Sequence, residues 1–288
     1  MIKWIKILFE LTKLRISLFS TLATFSGFIL ASRSLSVDFI FPISGVFLLA
    51  SGACALNQYQ ERNHDHLMER THSRPIPSKK LSPSMALKIS LGLLFSGSIL
   101  LYVGTPWSAV GLGLFAVFWY NGVYTLLKRK TAFATIPGAL VGAIPPVIGW
   151  VSGKGFFSLD PQILAISFFF FIWQVPHFWL LLLNVGRDYE KSGLPSLTRI
   201  LTAAQLSRMT FVWILAAAAT CMLIPLFGIV ESPIIHGSLF FAAFWMMWRA
   251  SKLLNSNDRK FHLSLTFKAI NSYAMVVMIL LSLDHLFL

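Results

Sequence analysis

Apolar residues in this chain neither alternate nor recur as a narrow stripe. They run on for about 20 residues at a time, the length that crosses a bilayer as a helix, and stop at polar segments. Nine such runs fall at 16–34, 39–57, 86–105, 107–126, 134–152, 161–184, 210–230, 233–251 and 267–286. Lipid leaves backbone groups no partners, so runs of this kind must be helices, and a closed barrel would show period-two alternation instead. The pattern predicts an all-α polytopic membrane protein, one transmembrane domain over residues 1–288, with nine spans. The first run is full length and lacks a small-residue cleavage site, so it reads as a retained helix. Spans two and six lead into the two richest polar loops, 57–85 and 184–208, a layout consistent with a weak internal duplication.

Composition agrees. The 288 residues are 56% hydrophobic and 12% charged, against about 25% charged in soluble domains. A net charge of +13 raises the question of nucleic acid, but the placement of the charges answers it. Of 24 Lys and Arg residues, 22 fall in the N-terminus or in loops after even-numbered spans; only Arg33 and Lys154 lie on the other side. That asymmetry places the N-terminus and the long loops in the cytoplasm and the C-terminus, at Leu288, opposite. Anionic lipid headgroups account for the basic excess, and no nucleic-acid partner is expected. Cys54 and Cys221 both lie in apolar runs and offer neither a disulfide framework nor a CxxC metal site.

Three polar groups are candidates for chemistry. If span two continues as a helix, Asn57, Glu61 and Asp65 recur at i, i+4 and i+8 and stack three oxygen ligands about 6 Å apart. Such a ladder suits Mg²⁺, which takes one or two carboxylates plus phosphate oxygens. Arg70 and Arg74 follow as planar donors that match phosphate. The same stretch also reads as a solvated polar loop. The second group follows span six: Trp173, Gln174, Pro176 and His177, then Asn184, Arg187, Asp188, Tyr189 and Lys191. Polar groups in so apolar a helix usually face the bundle interior, where His177 serves either a ligand or a helix–helix hydrogen bond. The third runs from Tyr120 and Asn121 through Tyr124 to Lys128, Arg129 and Lys130. The triplet reads first as an ordinary stop-transfer anchor, although Lys128, one turn beyond Tyr124, is placed to reach a phosphate in the same cavity. Gly138 and Gly142 allow close packing, and Pro145-Pro146 is expected to break span five in mid-membrane.

Taken together these segments resemble the UbiA superfamily of intramembrane prenyltransferases and, within it, the protoheme IX farnesyltransferase branch. The resemblance covers nearly the whole chain. It rests on Met68-Glu69-Arg70-Thr71 with Arg74-Pro75, on Lys128 to Thr131 running into Gly142-Ala143-Ile144-Pro145-Pro146 and Gly149-Trp150, and on Trp173-Gln174 with Pro176 to Trp179, followed by Asp188-Tyr189 and Gly193 to Leu197. Heme-branch members usually carry Asp where this chain has Glu61 and another acid where it has Asn63. Ser192 stands where the wider superfamily often has a second Asp.

The resemblance implies farnesyl diphosphate and heme b as substrates, heme o as product and Mg²⁺ as cofactor. It assigns Glu61, Asp65 and Asp188 to the metal and Asn57 to orienting a metal or phosphate oxygen. Arg70, Arg74, Lys128 and Lys191 fall to the diphosphate, and His177, Trp173, Gln174 and Tyr124 to the heme. It places the chain in a bacterial or archaeal cytoplasmic membrane and names heme a synthase or terminal-oxidase assembly proteins as partners. An aromatic or quinone precursor is the alternative acceptor. A secondary transporter is the rival of another class, but almost every acid here is interfacial, whereas a transporter needs charges near the midplane.

Overall fold

The computed structural model describes residues 2–255 and 259–287. They form ten main helices: α1 (Ile2–Leu11), α2 (Leu14–Ser32), α3 (Ile40–Asp65), α4 (Pro83–Gly104), α5 (Trp107–Leu127), α6 (Thr135–Lys154), α7 (Pro161–Lys191), α8 (Ala203–Leu223), α9 (Pro233–Ser251) and α10 (Arg259–Phe287). No strand occurs among the described residues. Among the described residues eight helices are long and apolar enough to cross a membrane. The ninth expected span is α9, whose 19 residues reach about 28 Å at 1.5 Å per residue. His236, Trp245, Trp248 and Arg249 make it less apolar than the rest.

α1 was not expected. Lys3, Lys6 and Glu10 recur at helical spacing and leave the remaining faces apolar. Ile7 and Leu11 are buried against Ala55, Ile76, Leu81 and Ala86, while Trp4, Ile5, Leu8 and Phe9 are exposed. That outer face suits a bilayer interface.

Small residues let the spans approach backbone to backbone, the packing that lipid favours because apolar side chains gain nothing by leaving it. A Cβ on Gly149 would sit 1.9 Å from the Thr24 carbonyl oxygen, and one on Gly27 2.0 Å from that of Pro146. α2 and α6 are thus locked face to face. Pro145 and Pro146 do not break their span, contrary to expectation: helix is continuous over Leu140–Lys154 with both prolines inside and buried. Their lost donors are tolerated because close neighbours hold the helix in place.

The core is centred on α7, where Phe169, Phe170 and Trp173 are buried and Trp173 Nε1 donates to the Ile270 carbonyl of α10 at 2.7 Å. At the end away from the long loops, the buried Asp284 carboxylate accepts the Glu231 and Ser232 amides at 2.8 and 3.0 Å and so ties the segment that leads into α9 to α10. α7 is not uniform: Val185 leaves helical geometry (φ −124°, ψ 16°), so the turn that carries Asp188 is re-aimed toward the loop after α3.

Candidate active site

α3 carries on past its apolar segment to Asp65, so the ladder expected from the i, i+4, i+8 spacing exists. Asn57, Glu61 and Asp65 are 2%, 4% and 0% exposed, which excludes the solvated-loop reading. Each rung meets a cation. Lys13 Nζ donates to Asn57 Oδ1 at 2.7 Å and contacts the Tyr120 hydroxyl at 3.4 Å. Lys128 forms an ion pair with Glu61. Arg74 Nη1 donates to both carboxylate oxygens of Asp65, at 2.8 and 2.7 Å.

The frame around these pairs is built from side-chain amides. Gln58 Nε2 donates to the carbonyls of Glu10 and Leu11 at 2.7 and 3.0 Å, which ties α3 to the end of α1. Lys13 follows in left-handed geometry (φ 48°, ψ 55°) and is turned inward. Burial, with Arg74 nearby, pulls its ammonium down to a pKa of about 8, so it stays mostly charged at neutral pH. On the opposite flank α5 widens into a π-helical segment, Phe118–Tyr124, a distortion frequent at functional sites. It aims Asn121 at α3, where Nδ2 donates to the Ala53 carbonyl at 3.0 Å and to Gln60 Oε1 at 3.1 Å. Asn57 Nδ2 donates to Thr125 Oγ1 at 3.1 Å. Asn57 is thereby held through its amide nitrogen, with its oxygen left to Lys13.

Asp188 comes to the same end of the bundle. Its carboxylate is buried and accepts the Arg70 amide at 3.0 Å, joining the loop after α3 to α7. The Arg70 and Lys191 side chains, expected at the diphosphate, are exposed at the rim, and Lys191 pairs with Glu69. The Arg187 and Tyr189 side chains lie outside the described residues. Beside Lys128 opens a narrow cleft bordered by Tyr124, Thr135, Phe178, Pro195 and Ser196. Tyr120 stacks on Tyr124 at 5.8 Å, and Tyr124 meets Phe178 at 6.3 Å.

The residues expected at heme divide. Trp173 spends its N–H on the fold, as described, and Gln174 lies against α6, where a Cβ on Gly142 would sit 1.7 Å from its Oε1. His177 packs between Trp173 and Phe267, each ring 5.1 Å away. Its Nδ1 is buried without a hydrogen-bond partner, although the side chain also meets the Asn271 side chain of α10. Tyr124 is linked to this group through Phe178, which contacts the His177 ring at 5.4 Å.

Among the described residues no three His, Cys, Asp or Glu side chains converge as a preformed metal cage. The donor set still fits a hard cation. Two buried carboxylates and an amide oxygen share one face of α3, and phosphate oxygens would complete a Mg²⁺ shell. Sequence reasoning missed Lys13, Gln58, Gln60 and Thr125. Their signal was slight: Lys13 looked like one more basic residue of an N-terminal flank, and the others like ordinary polar residues of a span end.

The sequence pattern of the UbiA prenyltransferase family matches residues 18–271. The chain is 39% identical to the protoheme IX farnesyltransferase of Geobacter sulfurreducens over 216 residues, 75% of this chain and 79% of that one. Against the protein of the same name from Oleidesulfovibrio alaskensis it is 30% identical over 277 residues, 96% and 95% of the two chains. In fold it is similar to a digeranylgeranylglyceryl phosphate synthase (TM-score 0.78, 15% identity, all of both chains). It is also similar to a UbiA homologue of Archaeoglobus fulgidus bound to geranyl diphosphate and Mg²⁺ (TM-score 0.68, 12% identity, 96% of this chain and 99% of that one). The chain belongs to the UbiA prenyltransferase family, in its protoheme IX farnesyltransferase branch, and is a prenyltransferase.

Proposed function

We propose that the enzyme transfers a farnesyl group from farnesyl diphosphate to a vinyl group of heme b, giving heme o. The observation that carries this reading is the set of partly buried cations at the loop end of the bundle, Lys13, Lys128 and Arg74, gathered around the buried Asn57, Glu61 and Asp65. Two or three positive charges gathered at one end of the bundle match the charge that develops on a departing diphosphate. The names of the relatives supply the prenyl donor and the heme acceptor.

Glu61, Asp65 and Asp188 would hold Mg²⁺; the Archaeoglobus fulgidus homologue is bound to Mg²⁺ together with geranyl diphosphate. That ion would neutralise diphosphate charge and so assist loss of the leaving group. Lys128 and Arg74 hold the diphosphate oxygens, and Asn57, fixed by Thr125, orients the oxygen that faces it. Tyr120, Tyr124 and Phe178 offer ring faces to the allylic cation and exclude water that would quench it. The heme vinyl carbon attacks that cation; water then adds to the resulting centre and loses a proton, which leaves a hydroxyethylfarnesyl group. His177, with its orphan Nδ1, is assigned to heme iron or a propionate. The basic loops face the cytoplasm in this reading, where the soluble diphosphate is delivered.

Incubation of purified protein with heme b, farnesyl diphosphate and Mg²⁺, followed by mass analysis, tests the assignment. Heme o supports it. Prenylation of an aromatic or quinone precursor with heme b untouched would replace it.

A further inference from the structure

Each oxygen rung of α3 is met by a cation of the chain itself, but the three pairs are not equivalent. Glu61 and Asp65 are carboxylates and neutralise Lys128 and Arg74. Asn57 is neutral, and the hydrogen-bond contacts of Lys13 are two neutral oxygens, Asn57 Oδ1 and the Tyr120 hydroxyl. Glu61 attracts this ammonium too but is already paired with Lys128, and a partly buried ammonium whose direct contacts are dipoles gains from an anion that joins it.

The chain also goes out of its way to put Lys13 there. Left-handed geometry at a non-glycine residue is uncommon and strained, yet Lys13 adopts it between α1 and α2 (φ 48°). Gln58 holds the turn from within the ladder helix, through the carbonyls of Glu10 and Leu11. Asn57 is next to Gln58 in sequence. The contact that bends the N-terminal turn and the contact that receives its lysine therefore come from adjacent residues of α3.

We propose that Lys13 is a diphosphate-binding residue, and that Lys13, Lys128 and Arg74 act as internal counter-ions that leave the α3 oxygens for diphosphate oxygens when substrate enters. The inference rests on the prenyl diphosphate reading above. With the ladder covered by cations, a divalent ion alone meets positive charge at every rung. Once diphosphate draws those cations to itself, Glu61, Asp65 and Asn57 are exposed to the metal. Metal and diphosphate therefore bind together, each strengthening the other by the same factor.

The test uses the full chain in detergent without heme, so that nothing turns over. Mn²⁺ serves as the spin-active stand-in for Mg²⁺, and farnesyl diphosphate binding is measured by calorimetry. In the wild type, Mn²⁺ should bind at least tenfold more tightly with farnesyl diphosphate than without it. Lys13→Met should weaken farnesyl diphosphate by about 10- to 100-fold, the scale of one charge-assisted hydrogen bond in a dry site. The same variant should hold Mn²⁺ alone no less tightly than wild type, and Lys13→Arg should recover most of the diphosphate affinity. Equal Mn²⁺ affinity with and without diphosphate would overturn the exchange. If Lys13 only props up the turn, Lys13→Met lowers the unfolding temperature with unchanged diphosphate affinity in the folded protein, and the proposal fails. A wild-type chain that binds no prenyl diphosphate overturns both readings; one that binds it equally well after Lys13→Met overturns this one alone.

Discussion

Replacing Arg74 by Ala would strand Asp65. That carboxylate is 0% exposed, and its two oxygens accept from Arg74 Nη1 at 2.8 and 2.7 Å. Breaking a buried ion pair by removing one partner costs about 3–5 kcal/mol, because the remaining charge is left without compensation. Replacing both partners by apolar residues of similar size is often neutral or better. Arg74→Ala should therefore lower the unfolding temperature sharply, and Asp65→Leu/Arg74→Met should regain most of the loss. Both proteins should be inactive. Cys54 and Cys221 are buried and unpaired, so a thiol-reactive fluorophore that labels them on unfolding supplies the assay. An Arg74→Ala protein that melts with the wild type would refute the reasoning, and so would a double variant no more stable than the single one. This burial gives Asp65 a part in stability beside its place in the ladder.

Glu61→Ala should lower turnover by several orders of magnitude at unchanged heme affinity; near-normal turnover would remove that face of α3 from the mechanism. His177→Ala should weaken heme binding and shift or abolish the Soret band while farnesyl diphosphate binding is largely retained; an unchanged spectrum would take His177 out of the site. Reporter fusions at Ser78 and Gly155 should give opposite readouts, the first cytoplasmic, and a shared readout would contradict the proposed orientation.

The spans and the ladder were legible because both are local properties. Continuous hydrophobicity is read residue by residue, and Asn57, Glu61 and Asp65 needed only that one helix outlast its apolar segment. What was not legible depends on contacts between segments far apart in sequence. Lys13 enters the site through a left-handed turn between two helices, and its partner lies 44 residues away. The π-helical segment of α5 is invisible to hydrophobic periodicity, yet it aims Asn121 at Gln60. Arg70 and Arg74 look alike as loop arginines, but only Arg74 turns its guanidinium inward, while Arg70 contributes its backbone amide to Asp188. Pro145 and Pro146 misled for the opposite reason. A proline pair breaks an isolated helix, but here Gly27 and Gly149 bring α2 close enough to hold it intact.

The central claim, that this prenyltransferase farnesylates heme, is tested most directly by the product. Purified protein given heme b, farnesyl diphosphate and Mg²⁺ should yield heme o, identified by mass, and omission of Mg²⁺ or addition of a chelator should stop its formation. Heme b recovered unmodified by a folded protein that consumes farnesyl diphosphate on another acceptor would contradict the account.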